Sequence, residues 1–431
     1  MNTGAHRLSL NAMYTDSETV RGVPLGIHTA VIIVVLLEGA LGNLFGLELS
    51  SLMLWVPVNI IIAYSLLIVS KQPEIITPVK KFTPVVITIY LMVLWRFTAI
   101  FWTISDRLSF KESIKTFYLL LFIMTTQYVI SRTTRERLLR MIALVVTIAL
   151  VASVLAYLYR LGYAGFSYYG EKAFKKRIGI FYRGNMGGAV IMLLGLWNWC
   201  LVFSGAKYRK IGFINLGLTL FLLFGIASQA ALGGYLISIS VVLLYYFYLI
   251  RDRMLLFYLS NLSAIGLACF SVYYVVKSTT IWSLTTLNGR LGIWIEAINV
   301  LREGQWLTGV GSGAAQGLTS ATSVGTSNLH NVLIYSLASG GIVELGMVLF
   351  IFIWLMKLAL SQKQGRGIVL MAFIAGVFVR NLAEASGLLF GYMNNSWVYL
   401  SWYVLISIIV LLTNSSDHTG ESGNEINPLV S

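Results

Sequence analysis

Long apolar blocks recur along the whole chain, and they constrain the fold more than any other feature. A helix needs about 20 apolar residues to cross a bilayer. Only 11% of the residues are charged, against roughly 25% in soluble domains. The sequence therefore excludes a water-soluble globular domain and predicts an all-α, polytopic transmembrane helix bundle. About 12 spans are expected, near 23–47, 52–70, 84–104, 115–131, 140–160, 185–204, 210–228, 229–250, 254–276, 331–357, 367–384 and 395–413.

Composition narrows the class of function as well. Cys200 and Cys269 both lie within apolar blocks, which argues against a disulfide scaffold. None of the four histidines is near a cysteine, so neither a zinc site nor another cofactor is expected. The net charge of +14 is explained without nucleic acid, because Lys and Arg of membrane proteins gather on cytoplasmic loops and near anionic lipid headgroups.

The basic residues predict how the chain is oriented. Alternate loops fall on one side of the membrane if both termini are cytoplasmic. Residues 1–22 are then a cytoplasmic N-terminal tail, 23–413 the transmembrane domain, and 414–431 a disordered cytoplasmic tail. The basic residues of these loops are Lys71, Lys80, Lys81, Arg132, Arg135, Arg137, Arg140, Lys207, Arg209, Lys210, Arg251, Arg253, Lys357, Lys363 and Arg366.

Two segments, 161–185 and 277–331, are expected outside the cytoplasm. The first breaks the charge rule, because it holds five basic residues against the single acid Glu171. An anionic ligand at the outer surface explains that excess, and binding to lipid headgroups is the alternative. The second is the longest non-spanning stretch, and loops of that length usually have a function.

The longer outer segment predicts a helix followed by a glycine turn. Leu291, Trp294, Ile298 and Leu301 recur at three- and four-residue steps, which is typical of an amphipathic helix. Arg290 lies in the first turn of this helix. The segment between spans nine and ten is therefore predicted to be a helical loop. The glycines at 309–313 lack the Gly-Lys-Ser/Thr ending of a phosphate-binding loop. These glycines predict a tight turn whose backbone closely approaches a neighbouring segment of the chain.

His330, at the start of the next span, is the one histidine that can reach an outer site. An imidazole there can act as a general base, since its ordinary pKa of about 6.5 is close to neutral. The alternative is an interfacial histidine that caps a helix. The helix that follows contains Gly340, Gly341 and Glu344, which predicts close packing against a neighbour.

Arginines supply the candidate anion site. Arg177 and Arg183 flank a glycine-containing stretch at the start of a span. Guanidinium groups bind phosphate oxygens through two hydrogen bonds, so several of them can hold a diphosphate and stabilise it as a leaving group. Charged residues inside spans often mark function, and others form structural ion pairs. The spans contain Glu38, Arg96, Glu344, Arg380 and Glu384.

The ordered set of these motifs resembles the O-antigen ligase and polymerase superfamily. The resemblance extends over about residues 120–360 and agrees with the twelve-span layout. No single motif is specific, whereas their order, spacing and outward placement together are. The set is Arg177-x-Gly-x-Phe with Asn185 downstream, Gly289-Arg290-x-x-x-Trp294, Gly309-x-Gly311, and His330-Asn331 followed by Gly340 and Gly346.

The resemblance implies a GT-C-like glycosyltransferase in a bacterial inner membrane, with 23–413 as its catalytic domain. Such enzymes take a glycan from undecaprenyl diphosphate on the periplasmic side, without a metal and with inversion. Arg290 matches the family arginine that contacts the diphosphate, His330 the histidine proposed to activate the acceptor hydroxyl, and Arg177 an arginine of the earlier loop. The acceptor is another lipid-linked glycan in polymerases and lipid A-core in ligases, and a chain-length regulator is a further expected partner.

One departure from the ligases separates the alternatives. Ligases of the enterobacterial type place an arginine after the outer turn between spans seven and eight, where this chain has Gln229. Either Arg183 or Arg380 supplies the missing charge, or the chain is not a ligase. We therefore expect a polymerase, with a ligase as the alternative. A transporter or lipid flippase is a further alternative. Transporters tend to have internal repeats and helices broken by glycine or proline, whereas this chain has no clear repeat and only six prolines. The last alternative is a non-enzymatic partner in envelope assembly.

Overall fold

The computed structural model of the chain describes a bundle of long helices. It describes residues 82–103, 106–168, 184–226, 228–249, 305–311, 331–362, 367–383, 389–390 and 396–413, together with the short pieces 63, 294–295, 297–299, 301 and 329. The helices in these ranges are α1 (Thr83–Thr98), α2 (Asp106–Ser131), α3 (Arg135–Tyr168), α4 (Gly184–Val202), α5 (Ala206–Ile226), α6 (Gln229–Leu249), α7 (Val332–Leu360), α8 (Ile368–Ala383) and α9 (Ser396–Thr413).

The helical fold class is confirmed within the described ranges, which contain no strand. Five stretches are long and apolar enough to cross a membrane, namely Thr83–Phe101, Ser109–Ser131, Arg135–Leu158, Ala230–Phe247 and Val332–Leu360. Three shorter apolar stretches lie in α4, α8 and α9. Helices satisfy their own backbone hydrogen bonds, as a chain in lipid must. The expected spans 23–47, 52–70 and 254–276, the tails 1–22 and 414–431, and hence the total of twelve, lie outside the described residues.

Two helices extend beyond the limits predicted from hydropathy. α2 begins at Asp106 rather than near 115, and α3 continues to Tyr168, into the expected outer segment. The first turns of α2 are polar, which hid them from a search for apolar residues. Glu112 and Ser113 in those turns are nonetheless buried. They pack against α1, where the Ser113 hydroxyl donates to the backbone oxygen of Arg96 at 2.8 Å.

α4 lies at the centre of the bundle, and it packs against α3, α5, α6, α8 and α9. Its residues from Ala189 to Leu201 are all buried. Trp197 packs edge-on against Tyr403 of α9, with ring centroids 5.8 Å apart. Large aliphatic side chains on the outer faces of the surrounding helices are exposed, including Leu155, Ile214 and Ile353. An apolar surface of this kind is suited to lipid.

The starts of α3 and α5 lie together at one end of the bundle. Glu136 accepts hydrogen bonds from the ammonium group of Lys207 at 2.5 Å and from the hydroxyl of Tyr208 at 2.7 Å. The bond to Glu136 raises the pKa of Lys207 above its ordinary value. Two of the loops expected to be cytoplasmic, 132–140 and 205–210, are therefore at the same end. α4 begins at the other end of the bundle.

Candidate functional site

The starts of α4, α6 and α7 and the last turn of α8 meet at that other end, which we call the site end. Asn331 joins two of them. Its side-chain oxygen accepts from the backbone nitrogens of Leu333 at 2.8 Å and Ile334 at 3.1 Å, which caps α7. Its amide nitrogen donates to the backbone oxygen of Leu382 at 3.1 Å. The residue directly after His330 is therefore fixed to the end of α8.

Arg380 lies in the last turn of α8, beside α6. Gly234 allows this approach, because a Cβ at that position would lie 2.6 Å from the backbone oxygen of Gly376 and 3.3 Å from the Cβ of Arg380. Gly234 is five residues after Gln229, which is about 7 Å along the helix axis. Arg380 is only 1% exposed. A cation so deeply buried in an apolar bundle is a candidate functional residue.

α4 starts next to α6. A Cβ at Gly188 would lie 2.3 Å from the Cβ of Ser228 and 3.2 Å from the Cβ of Ala231, so the backbone of α4 packs directly against side chains at the start of α6. The first residue of α4 is Gly184, which follows Arg183 directly. Each helix N-terminus has a partial positive charge. The starts of α4, α6 and α7 together with Arg380 therefore favour an anion at the site end.

The outer segment is attached to the site end through Trp294. Its indole nitrogen donates to the backbone oxygen of Leu329 at 2.7 Å. Arg290 lies four residues before Trp294, and His330 directly follows Leu329. This hydrogen bond therefore links the two chain segments in which the resemblance places the diphosphate contact and the base.

The predicted amphipathic helix agrees with the part of 294–301 that the structure describes. These residues are helical. Of the predicted apolar face, Leu301 is buried and Trp294 and Ile298 are half-buried. Ala297 is buried beside them, and Ile295 is exposed on the opposite face. A small apolar core forms beneath the helix from Ala297, Val310, Leu329, Tyr335 and Ala338. It joins the outer helix, the glycine turn and the first turns of α7.

The glycine turn packs against a break in α7, at what we call the glycine junction: Gly309, Gly311, Gly340 and Gly341. Gly340 and Gly341 have non-helical backbone angles within α7. Gly309, Gly311 and Gly341 have positive φ angles of 68°, 96° and 67°. A Cβ at Gly341 would lie 2.2 Å from the backbone oxygen of Leu307. The tight, backbone-close turn expected from the sequence is confirmed.

The break leaves backbone groups of α7 without helical partners, and the turn supplies them. The nitrogens of Val310 and Gly311 donate to the oxygens of Ala338 at 2.8 Å and Ser339 at 2.9 Å. The nitrogen of Ile342 donates to the oxygen of Trp306 at 2.8 Å. Unpaired backbone groups at membrane depth cost several kcal/mol each. The turn and the break therefore stabilise each other.

Two buried ion pairs lie near the junction. Arg96 and Glu344 were expected as intramembrane charges, and they pair with each other at 2.5 Å. Glu112 and Lys115 pair at 2.6 Å within α2, and neither was among the charged residues expected inside the spans. Their three-residue spacing on a helix was the only signal that could have identified them. Glu38 and Glu384 lie outside the described residues.

Of the six predicted site residues, the structure describes the side chain of Arg380 alone. Arg177, Arg183, Arg290 and His330 lie outside the described residues, as does the side chain of Gln229, whose backbone begins α6. Their roles stay predictions. Within the described ranges, no three His, Cys, Asp or Glu side chains lie together as metal ligands do.

Comparison of the sequence with models of known protein families gives no match, and comparison with curated proteins gives none either. The resemblance to the O-antigen ligase and polymerase superfamily therefore rests on the motifs in the sequence.

Proposed function

We propose that the chain is a periplasm-facing, metal-independent, inverting glycosyltransferase of a bacterial inner membrane with both termini cytoplasmic. It transfers a glycan from undecaprenyl diphosphate to a sugar hydroxyl, and it polymerises O-antigen or exopolysaccharide repeat units. One observation carries the proposal. The chain positions directly next to Arg183, Gln229 and His330 belong to helix starts that meet around the end of α8, where Arg380 is buried.

The mechanism follows from the chemistry of these groups. Arg290, Arg177 and Arg183 hold the diphosphate at the site end, and Gln229 and Arg380 are further groups that bind it. His330 removes the proton from the acceptor hydroxyl while that oxygen attacks the anomeric carbon. The glycosidic bond forms as the bond to the diphosphate breaks, and undecaprenyl diphosphate leaves with the electron pair. General-base assistance contributes about 10²–10⁴ in rate, and the arginines stabilise the leaving group.

The position of Arg380 favours the ligase alternative. The polymerase assignment relied on the uncharged Gln229 at the ligase arginine position. Arg380 lies beside the same helix, at the close approach of Gly234. A cation on α8 can therefore act near the position where ligases have one on the helix of Gln229, and lipid A-core is the alternative acceptor.

The break in α7 is a feature that the transporter alternative shares. Discontinuous helices with exposed backbone groups form the binding sites of many transporters. The paucity of proline argued against broken helices, yet Gly340 and Gly341 produce one. The described backbone groups that the break leaves without helical partners are hydrogen-bonded to the glycine turn of the same chain. A break with a purely structural role is expected to have such bonds. A transporter moves its cargo without cleaving it, so product analysis separates the two functions.

Deletion of the gene followed by an envelope-glycan gel distinguishes the enzymes. Loss of long chains with one repeat unit still attached to lipid A-core identifies a polymerase. Accumulation of lipid-linked polymer with bare lipid A-core identifies a ligase. Unchanged glycan would refute both. Complementation with His330→Ala or Arg290→Ala then tests the site, because each variant should insert into the membrane without restoring the glycan.

A further inference from the structure

The Arg96–Glu344 pair lies at the glycine junction. Glu344 comes one turn after the break, and its side chain folds back over Gly340, where a Cβ would lie 2.3 Å from its Oε2. Its other oxygen, Oε1, accepts from the hydroxyl of Ser339 at 3.3 Å and from Arg96 at 2.5 Å. A residue that follows the break therefore contacts, through its carboxylate, the last residue before the break.

The end of α1 holds this carboxylate and the break together. Arg96 also donates to the hydroxyl of Thr116 at 2.7 Å, which ties it to α2. Its neighbour Trp95 donates from the indole nitrogen to the backbone oxygen of Gly340 at 2.8 Å. α1 therefore holds the break through an ion pair and through a side-chain hydrogen bond to the backbone of Gly340.

The glycine turn is held by the same element. Trp102, just after α1, donates to the backbone oxygen of Thr308 at 3.3 Å. Thr103 donates from its hydroxyl to the backbone oxygen of Val310 at 3.1 Å. The rings of Trp95 and Trp102 are in contact, with centroids 5.4 Å apart. The turn and the break are thus attached to one rigid support.

We infer that Arg96 and Glu344 are positioning residues for the site end, an inference that rests on the proposed glycosyltransferase function. They set the direction of the first half of α7, residues 332–339. That half begins at the cap Asn331, which holds the end of α8 and directly follows His330. A change of angle at the break therefore moves the base relative to Arg380 and to the outer helix of Trp294.

Stability alone does not account for the pair. Both side chains are buried, with relative exposures of 2% and 0%. Replacement of a buried ion pair by apolar residues of similar volume is often neutral or stabilising. What an apolar pair cannot reproduce is the contact of one carboxylate with Ser339, with Arg96 and with the space above Gly340.

The test uses the full chain in lipid nanodiscs with an undecaprenyl-diphosphate-linked glycan as donor. Glu344→Gln removes the charge while it keeps the side-chain shape. We expect kcat to fall on the order of 100-fold, the loss that follows from a misplacement of about 1 Å, with KM little changed. Hydrogen exchange should become faster at the amides of Val310, Gly311 and Ile342, which bridge the turn and the break.

Glu136→Gln is the control. It also removes one carboxylate from an ion pair, but that pair, with Lys207, lies at the end of the bundle opposite the site end. We expect kcat and exchange at the junction to stay close to the wild-type values. An equal loss of kcat in Glu136→Gln would overturn the inference, because the effect would then be general to the loss of a carboxylate.

The double variant Arg96→Met with Glu344→Leu separates positioning from stability. Its melting temperature should stay near that of the wild type, while kcat stays low. Wild-type kcat in this folded double variant would mean that the pair only stabilises the bundle, and would overturn the inference.

Trp95→Phe covers the case in which Glu344→Gln does not insert, because it removes the hydrogen bond to Gly340 while an aromatic ring still faces Trp102. It should lower kcat partially and speed exchange at Gly340–Ile342, and unchanged kcat with fast exchange would overturn the inference. If wild-type protein transfers no glycan, the proposed function fails. The exchange comparison between Glu344→Gln and Glu136→Gln still decides whether the pair holds the junction.

Discussion

Gly341→Ala should destabilise the protein strongly, while Gly346→Ala in the same helix should not. Gly341 has φ 67° and ψ −163°, a region essentially confined to glycine, so a side chain there costs about 1–3 kcal/mol of strain. The new Cβ would also lie 2.2 Å from the backbone oxygen of Leu307. The turn must therefore move away from the break.

That movement breaks the hydrogen bonds between the turn and α7. The three backbone bonds from Val310, Gly311 and Ile342 contribute about 0.5–1.5 kcal/mol each. Together with the backbone strain, the loss of these bonds should lower the free energy of unfolding by about 2.5–7.5 kcal/mol. At Gly346 a Cβ meets no atom within 4 Å, so alanine there should stabilise the helix by about 0.4–1 kcal/mol.

Unfolding titrations with SDS in mixed micelles, followed by circular dichroism, measure both variants against the wild type. The account predicts opposite signs for the two substitutions. If Gly341→Ala were as stable as Gly346→Ala, the positive φ and the close approach at the junction would be misassigned.

The remaining predictions concern the site end. His330→Ala and Arg290→Ala should each abolish polymer formation while the protein level in the membrane stays normal on an immunoblot; unchanged glycan length would defeat the site assignment. Arg380→Gln should lower turnover of lipid-linked donor about 10- to 100-fold through the loss of one charged hydrogen bond, with partial retention in Arg380→Lys, and equal activity of all three proteins would contradict a role at the diphosphate. Gly188→Val should push α4 away from Ser228 and lower the unfolding free energy by about 1–3 kcal/mol, a loss that micelle titrations should not find in Gly217→Ala, where a Cβ meets open space.

Hydropathy predicted the helices well, because each described helix coincides with a long apolar block. It failed at the first turns of α2. Glu112 lies outside the predicted span 115–131 and Lys115 at its first position, yet the two are buried as a pair. A pairing partner decides whether a charge can be buried, and partners one turn apart on a helix do not register in a hydropathy average.

The glycines at 309–313 predicted a tight turn, and Gly340–Gly341 predicted close packing, but not that the two would meet. Their sequence separation is large, and the contact depends on Trp95 and Arg96 from a third element. Likewise, Arg380 was one of two candidates for the charge missing at Gln229, and only the packing at Gly234 shows it beside α6. Long-range contacts of this kind leave no periodic signal in one sequence.

Reconstitution with a defined donor tests the central claim most directly. Purified protein in liposomes would receive a labelled undecaprenyl-diphosphate-linked glycan and a sugar acceptor. The account predicts a longer glycan together with an equal amount of released undecaprenyl diphosphate, and no release in His330→Ala. Movement of intact labelled donor across the bilayer, with no cleavage of the bond to the diphosphate, would contradict it.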